Sequence, residues 1–290
     1  MKQNQSSQSA LGVAIFRAIE SQKPEAQRIC YDPFACAFIP IASYLLVKLF
    51  VDSGLYERLG PGGIEFITVR ERYIDDYLKT VLSEGLGQVV ILGAGFDTRP
   101  YRIPGIEKTH VFEIDYPATQ ETKRKGLKKV IDPLPGYVTF LPVDFNSQLL
   151  GECLQSSGYN EHAKTLFIWQ GVTYFLEAKS VDSTLEFIAT HSGPGSSVIF
   201  DYMYNEIFQD PNNSYGKALK RAGKMSGEDY MFGIDRGQAE SFLTQRGFRN
   251  VQIMTLEELK QCYFTGVNSD RTVPRDIAIV SAEVNKGEER

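Results

Sequence analysis

The sequence predicts an α/β protein whose centre is a largely parallel β-sheet. After residue 88 the chain contains short, unbroken apolar runs, which are typical of strands buried on both faces. These runs are Val89–Leu92, Thr109–Ile114, Val138–Val143, Thr165–Trp169 and Ser196–Phe200. Helix-compatible segments lie between them, at Pro117–Ile131, Asn146–Ser156 and Lys179–His191. Strands that alternate with helices are connected by right-handed crossovers, so we expect a parallel sheet.

The chain before this sheet is predicted to be helical. Ala10–Ile19 and Gly63–Leu82 both place apolar residues on one face at helical spacing. The most apolar stretch, Phe34–Val51, contains Pro40 and Lys48. A membrane span needs about 20 apolar residues without such interruptions. We therefore expect two packed helices around Pro40 and no contact with a membrane.

The alternation of strands and helices breaks after residue 202. Residues 203–235 are polar, rich in Tyr, Asn and Gly, and show no clear period. Gln238–Arg246 then has the pattern of a helix, and Asn250–Thr255 and Asp276–Val284 have the pattern of strands. Two late strands joined by a loop-rich stretch predict an antiparallel edge on the same sheet.

Composition excludes several classes of function. The chain has 290 residues, of which 42% are hydrophobic and 23% charged, as in ordinary globular proteins. Its net charge of -5 gives no general attraction to nucleic acid. Four cysteines without a C-x-x-C pair and only three histidines offer little for a zinc site, so we expect no metal. The cysteines are expected to be reduced, and the polar segment Met1–Ser9 does not resemble a signal peptide. Both observations predict a location in the cytoplasm.

The turn after the first strand predicts a nucleotide-like ligand. Gly93 and Gly95 let the backbone turn sharply and come close to a ligand. Asp115, at the end of the second strand, has the spacing of an acid that accepts hydrogen bonds from ribose hydroxyls. Thr98 occupies the place of the third glycine of G-x-G-x-x-G, which disfavours a diphosphate and leaves a ligand such as S-adenosylmethionine. The alternative is that the glycines only form a tight turn.

The next two strand ends carry polar residues as well. Asp144 and Phe145 follow the third strand, where they could bond an adenine amino group and cover its ring. Asp144 could instead cap a helix that starts near Ser147. Gln170 follows the fourth strand, and a polar side chain buried there needs a partner.

Taken together, these motifs resemble the leucine carboxyl methyltransferase-like family of S-adenosylmethionine-dependent methyltransferases. The resemblance begins in the first predicted helix and extends to about Tyr202. The segments that carry it are Ala10–Ser21, Tyr31–Ala35, Val69–Asp76, Val90–Ile103 and Phe112–Pro117.

The resemblance implies a Rossmann-like sheet of seven strands, a helical cap over residues 1–84 and a methyltransferase core over residues 85–290. It also implies a lid, at about 203–235, inserted after the fifth strand. The cofactor of this family is S-adenosylmethionine. We expect its pocket to be formed by Arg70, Gly93, Ala94, Gly95, Asp97, Thr98, Arg99, Glu113, Asp115, Asp144, Phe145 and Gln170. The family usually has Glu at the position of Gln170, where it could form an ion pair with Arg70. The neutral amide of Gln170 cannot form that ion pair.

The acceptor is predicted from what the site lacks. His110, His162 and His191 do not fall at strand C-termini, so no general base is evident; a carboxylate acceptor needs none. We therefore expect O-methylation of a carboxylate on a small molecule, with Arg70 and Tyr174 as catalytic candidates. The candidate acceptor-binding residues are Arg99, Tyr174, Asp201 and Tyr204.

Three alternatives stay open at this point: methylation of a hydroxyl, a non-catalytic protein that binds S-adenosylmethionine, and an NAD-dependent oxidoreductase. An oxidoreductase is disfavoured, because the sequence lacks both the third glycine and a Tyr-x-x-x-Lys pair. Glu71 and Arg72 are expected on a solvated helical face. The identity of the acceptor and the oligomeric state are not predicted.

Overall fold

The computed structural model describes residues 7–143, 150–209, 213, 216–217, 219–221, 223 and 229–287. Its centre is one sheet of seven strands. The strands are β1 (Gln88–Leu92), β2 (His110–Asp115), β3 (Val138–Pro142), β4 (Thr165–Trp169), β5 (Ser197–Met203), β6 (Phe248–Thr255) and β7 (Ile277–Val284). They lie side by side in the order β3-β2-β1-β4-β5-β7-β6. The first five are parallel, and β7 runs antiparallel between β5 and β6. The predicted α/β class, the parallel sheet and its antiparallel edge are thereby confirmed.

Helices cover both faces of the sheet. They are α1 (Gln8–Ser21), α2 (Ile41–Asp52), α3 (Leu55–Leu59), α4 (Gly63–Ser83), α5 (Arg99–Arg102), α6 (Pro117–Leu127), α7 (Leu150–Gln155), α8 (Ala178–Thr190), α9 (Glu206–Gln209), α10 (Ala239–Thr244) and α11 (Leu256–Tyr263). Among these helices, none is both long and apolar enough to cross a membrane.

The alternation of side chains along each strand divides the apolar core into two layers. On β1, Val89 and Ile91 pack into the layer that also holds apolar residues of α1, α4 and α11. Val90 and Leu92 point the other way, into the layer formed with α8 and α10. All residues of β1 are buried, as the unbroken apolar run predicts. The carboxyl ends of β1, β2, β4 and β5 therefore open toward the same edge, where the candidate site lies.

Several boundaries differ from the sequence prediction. Pro40 begins α2 as its N-cap, but only one 3-10 turn, Ala35–Phe38, precedes it rather than a helix. Helix α6 ends at Leu127 because the following amides turn back to its last carbonyls, with Val130 N–H donating to Leu127 O. Strand β5 continues to Met203, since β7 pairs with it over its whole length.

Helix α11 is absent from the sequence prediction. It begins with a capping box in which Thr255 Oγ1 accepts from Glu258 N–H at 3.2 Å and the Glu258 carboxylate accepts from Thr255 N–H at 2.8 Å. This pattern satisfies two free amides at the helix start and is readable in a sequence.

Candidate active site

The turn after β1 is held against the end of β2. Ala94 N–H donates to Ile114 O at 2.9 Å, and Gly95 N–H donates to the Asp115 carboxylate. Gly93 and Gly95 both have positive φ angles, of 65° and 45°, a region that favours glycine. The turn is also closely covered, because a Cβ on Gly93 would lie 2.4 Å from Val172 Cγ2. Asp115 therefore fixes the loop that the sequence predicts to face the cofactor.

Of the two acids on β2, only Asp115 lies at the strand end. Glu113 is fully buried two residues earlier, where its carboxylate forms an ion pair with Lys123 Nζ at 2.6 Å and accepts from Tyr101 Oη at 2.8 Å. Burial raises the pKa of Glu113, and the Lys123 charge opposes that rise. Glu113 is therefore committed to internal partners, which fits a structural role better than contact with a ligand.

A buried network of charges lies beneath the turn, with Glu71 of α4 at its centre. Arg17 Nη1 donates to Glu71 Oε1 at 3.1 Å, and Arg99 Nη2 donates to Glu71 Oε2 at 2.6 Å. Burial by itself would raise the pKa of Glu71, but the guanidinium groups of Arg99, Arg17 and Arg102 outweigh it and lower that pKa below its usual range. The network joins α1, α4 and the turn after β1.

Glu71 corrects a sequence interpretation. Its side chain is buried rather than solvated, whereas its neighbour Arg72 is exposed as expected. The spacing could have shown this, because Ile67, Glu71, Ile74 and Leu78 recur at intervals of three and four residues on one helix face.

Arg99, a predicted ligand of cofactor and acceptor, is also part of this network. Its three guanidinium nitrogens donate to Asp97 at 2.5 Å, Asp75 at 2.7 Å and Glu71 at 2.6 Å, and its side chain is fully buried. Burial alone would raise the pKa of Asp97 as well, and the Arg99 charge lowers it instead. The contacts of Arg99 therefore fit support of the turn rather than a grip on an acceptor.

Thr98 has a similar supporting position. Its hydroxyl accepts from Arg102 Nε at 3.0 Å, and Arg102 in turn bonds both oxygens of Asp75. The side chain of Thr98 is buried. The residue that replaces the third glycine thus ties the turn to α4.

A second cluster forms where α4 meets the ends of β4 and β5. Arg70 Nη1 donates to Asp201 Oδ2 at 2.6 Å and to Tyr174 Oη at 3.4 Å. The guanidinium carbon of Arg70 lies 4.6 Å from the centre of the Phe66 ring. Asp201 Oδ1 accepts from Gly171 N–H at 2.6 Å. Arg70 Nε is buried and has no hydrogen-bond partner among the residues that the structure describes.

Tyr174 forms the aromatic side of this cluster. Its ring stacks on Tyr230 at 5.6 Å and meets the edge of Phe175 at 4.7 Å. Met231 N–H donates to Tyr174 O at 2.8 Å, which brings the segment after residue 229 back to the site. Burial raises the pKa of the Tyr174 hydroxyl well above its usual value, and the Asp201 charge adds to the rise.

Gln170 connects the two clusters. Its Nε2 donates to Glu71 Oε1 at 2.7 Å, so the amide hydrogens face the charge network. Its Oε1 is buried and has no hydrogen-bond partner within the described part of the chain. The next residue, Gly171, has a φ of 74°, and a Cβ there would lie 3.4 Å from Arg70 Nη1.

The structure brings most of the predicted site residues to one edge of the sheet. Tyr204 is the exception: it packs edge-on against Tyr202 and under Arg236, in the layer opposite to Tyr174. Alternation along β5 causes this, because Asp201 and Tyr204 point to opposite faces. Asp144 and Phe145 lie outside the described residues. Phe66, which sequence reasoning did not select, and Tyr230, which the sequence places in the segment expected to line the acceptor pocket, complete the cluster around Arg70 and Tyr174.

Two polar atoms without partners face this site. Gln170 Oε1 is a buried acceptor, which suits the ammonium group of S-adenosylmethionine, and Arg70 Nε is a buried donor, which suits a carboxylate of either the cofactor or an acceptor. Contact of Asp115, at the end of β2, with ribose hydroxyls stays a prediction from the sequence. The described residues contain no group of three or more His, Cys, Asp or Glu side chains that could hold a metal ion.

Comparisons with known proteins agree with this arrangement. The leucine carboxyl methyltransferase family model matches residues 10–189. A Bacillus subtilis protein named "Putative S-adenosyl-L-methionine-dependent methyltransferase YktD" is 28% identical over 288 residues, covering 91% of this chain and 93% of its own. A "Putative S-adenosyl-L-methionine-dependent methyltransferase" of Mycolicibacterium paratuberculosis is 27% identical over 283 residues, covering 93% of this chain and 86% of its own.

The fold recurs in a crystal structure from Thermobifida fusca YX, described as a "putative methyltransferase". Its TM-score is 0.62 at 12% identity, and the match covers 94% of both chains. The family match spans more than half of the sequence and includes α1, α4 and the ends of β1, β2 and β4. The chain therefore belongs to the leucine carboxyl methyltransferase family.

Proposed function

We propose that this S-adenosylmethionine-dependent methyltransferase methylates a carboxylate oxygen of a small molecule, giving a methyl ester. When bound, S-adenosylmethionine supplies a methyl group on a positively charged sulfur, ready for in-line displacement. The observation that carries the proposal is the buried Arg70, whose guanidinium meets Asp201, Tyr174 and Phe66 and still has a free Nε among the described contacts.

The chemistry of the surrounding groups supports an acceptor that is already ionised. The raised pKa of Tyr174 keeps its hydroxyl protonated at neutral pH, so this residue is a poor general base. The histidines lie elsewhere: His110 begins β2, His162 is in a loop and His191 caps α8. A carboxylate has an unperturbed pKa of about 4 and needs no proton removed.

The residues of the chain would then act by position rather than by proton transfer. Asp201 holds Arg70 in one orientation, and Gly171 N–H holds Asp201 in turn. Tyr174 and the aromatic rings beside it exclude water from the reacting groups, which favours displacement at carbon. Arginine suits a carboxylate because its planar fork can form two parallel hydrogen bonds.

The size of the acceptor is inferred from the segment that closes the site. We propose that the chain consists of a cap of residues 1–84 and a core of residues 85–290, and that residues 203–235 of the core form a lid. The described ends of this segment bring Tyr230 and Met231 against Tyr174. An aromatic cover of this kind suits a small, partly apolar molecule better than a protein tail.

Arg70→Lys tests the role of the guanidinium. The charge is kept but the planar fork is lost, so we expect turnover to fall by roughly 10- to 100-fold, which corresponds to about 1.4–2.8 kcal/mol. Unchanged affinity for S-adenosylmethionine would place Arg70 on the acceptor; lost affinity would place it on the cofactor instead. Arg72→Lys is the matched control, because Arg72 lies on the exposed face of the same helix.

Product analysis with a panel of small acids and phenols tests the acceptor class. A methyl ester, released again by base, supports the proposal, whereas a base-stable methyl ether as the sole product contradicts it. With an acid as acceptor, saturating turnover should be nearly flat between about pH 6 and 8, because the acceptor stays ionised. A rising limb would instead indicate that a base removes a proton.

A further inference from the structure

We propose that the outer face of α2 is the interface of a homodimer, in which the α2 helices of two copies cross antiparallel about a twofold axis. Helix α2 contains no buried residue, although it is the most apolar helix of the N-terminal region. Its large aliphatic side chains face outward, with Ile41 71%, Leu46 70% and Leu49 69% exposed. The inner side chains Tyr44, Val47 and Val51 pack against the apolar core and hold this helix on the protein.

The exposed area has the size that a dimer needs. Ile41, Leu45, Leu46 and Leu49 of α2 are exposed, and so are Leu55 and Leu59 of α3, the helix packed beside it; these six residues are called the patch. At roughly 100 Å² for each large aliphatic side chain, the patch amounts to about 600 Å², the upper end of what monomers expose. Two such patches bury about 1,200 Å², the lower end of specific interfaces.

The spacing of the patch makes it complementary to itself. Ile41, Leu45 and Leu49 form a ridge at intervals of four residues, and Ala42 and Leu46 form a parallel ridge beside it. Ridges of this type pack into the grooves between the same ridges of a second helix. An axis through Leu45 sets Ile41 of one copy opposite Leu49 of the other.

A hollow at the start of α2 accommodates this pairing. It has a volume of about 210 Å³ and is lined by Gln22, Cys36, Ile39, Ile41 and Tyr44. In the antiparallel arrangement Leu49 of the second copy lies over this hollow. Its mainly apolar lining suits a leucine side chain.

The charges around the patch favour a protein partner over a membrane. Lys48 is paired with Asp52 on the same helix, at 2.5 Å, and Arg58 on α3 is balanced by Glu57. Helices that lie on anionic membranes are instead rich in Lys and Arg on their polar face. The whole chain is also acidic, with a net charge of -5.

Light scattering after gel filtration tests the dimer with the full chain. We expect a dimer at micromolar concentrations and a monomer for Leu46→Glu, with the dissociation constant raised at least about 30-fold. Val267→Glu is the matched control and should remain dimeric, because Val267 is 73% exposed but lies outside the patch. A wild-type monomer at about 100 µM would overturn the proposal, and so would a dimer that Leu46→Glu leaves intact.

Disulfide trapping tests the antiparallel geometry. With the exposed Cys36 and Cys262 changed to Ser, Leu45→Cys should form a covalent dimer on mild oxidation. Helices packed 8–10 Å apart bring residues on the axis to roughly 4–6 Å between Cα atoms, within reach of a disulfide. Val267→Cys in the same background should stay monomeric in denaturing gels. Absence of a Leu45→Cys crosslink would reject the axis, and binding of monomers to phosphatidylserine vesicles would assign the patch to a membrane.

Discussion

The two amide atoms of Gln170 have different surroundings. Its nitrogen donates to Glu71, which already receives hydrogen bonds from Arg17 and Arg99, while its oxygen has no hydrogen-bond partner among the described residues. A glutamate at this position would set two carboxylates within hydrogen-bond distance. Like charges that close raise the pKa of one of them. The amide of this chain thus avoids a repulsion that its own charge network would otherwise create.

Gln170→Glu tests this explanation. We expect the new carboxyl to have a pKa in the folded state above its unfolded value of about 4.3, because burial and Glu71 both disfavour its charge. The variant should therefore lose about 1–3 kcal/mol of unfolding free energy at pH 7, and the loss should shrink as the pH falls toward about 4.3, because both states are protonated below that pH. Urea unfolding at several pH values measures it. Gln252→Glu, on an exposed strand position, serves as the control; equal stabilities at pH 7 would refute the explanation.

At the residue scale, the sequence predicts which side chains matter better than it predicts their partners. The glycine turn and Asp115 follow from local spacing, and the structure joins them directly. Arg99 and Glu71 differ, because their contacts come from residues tens of positions away that meet only after α4 packs beside the turn. A local pattern contains no information about such pairs, so Arg99 looked like a ligand. For Glu71 the helical spacing indicates burial, but it does not identify the arginines that the carboxylate pairs with.

At the scale of elements, buried strands are the most predictable part of the chain. Strands β1 and β4 match their apolar runs closely, because a strand buried on both faces consists mostly of apolar residues. Helix α11 is not found from an apolar pattern, because it has only eight residues. Its capping box is nevertheless visible in the sequence. The stretch from residue 203 to 235 has neither signal, and much of it lies outside the described residues.

The lid is an element-scale prediction that can be measured. Its described ends are fixed, with Tyr204 bridged to Ile234 and Met231 N–H bonded to Tyr174. We expect proteases to cut between these anchors in the free protein and to cut more slowly when cofactor and acceptor are both bound. Limited proteolysis followed by mass spectrometry locates the cuts. Equal rates with and without the ligands would show that the segment does not close over the site.

Across the whole molecule, the charges around Glu71 connect α1 and α4, which belong to the proposed cap of residues 1–84, to the turn after β1. Arg17 comes from α1, Glu71 and Asp75 come from α4, and Arg99 follows the turn after β1. Each of these groups is buried, so removing one partner leaves an uncompensated charge in the interior. The stability of the cap and the geometry of the cofactor turn should therefore change together.

This coupling predicts a specific dependence of stability on pH. The pKa of Glu71 is lower in the folded state than in the unfolded state, so its contribution is complete above about pH 4.3 and disappears as the pH falls toward the folded value. Glu71→Gln should cost about 3–5 kcal/mol at pH 7. The difference from the wild type should narrow below about pH 4. Chemical unfolding from pH 3 to 7 measures this, with Glu186→Gln on α8 as the control; a constant difference would contradict the assignment.

The position of β7 also determines when the molecule can finish folding. Strand β5 is synthesised long before β7, yet β7 is the strand that covers it along the whole register from Ser197–Glu283 to Met203–Ile277. For several seconds on the ribosome the nascent chain therefore presents an unpaired apolar strand edge. An unpaired edge of this kind can form backbone hydrogen bonds with a strand of another chain, in the antiparallel orientation that β7 would take. A nonsense mutation between residues 204 and 276 should accordingly produce aggregates that chaperones must clear, rather than a shortened but soluble enzyme.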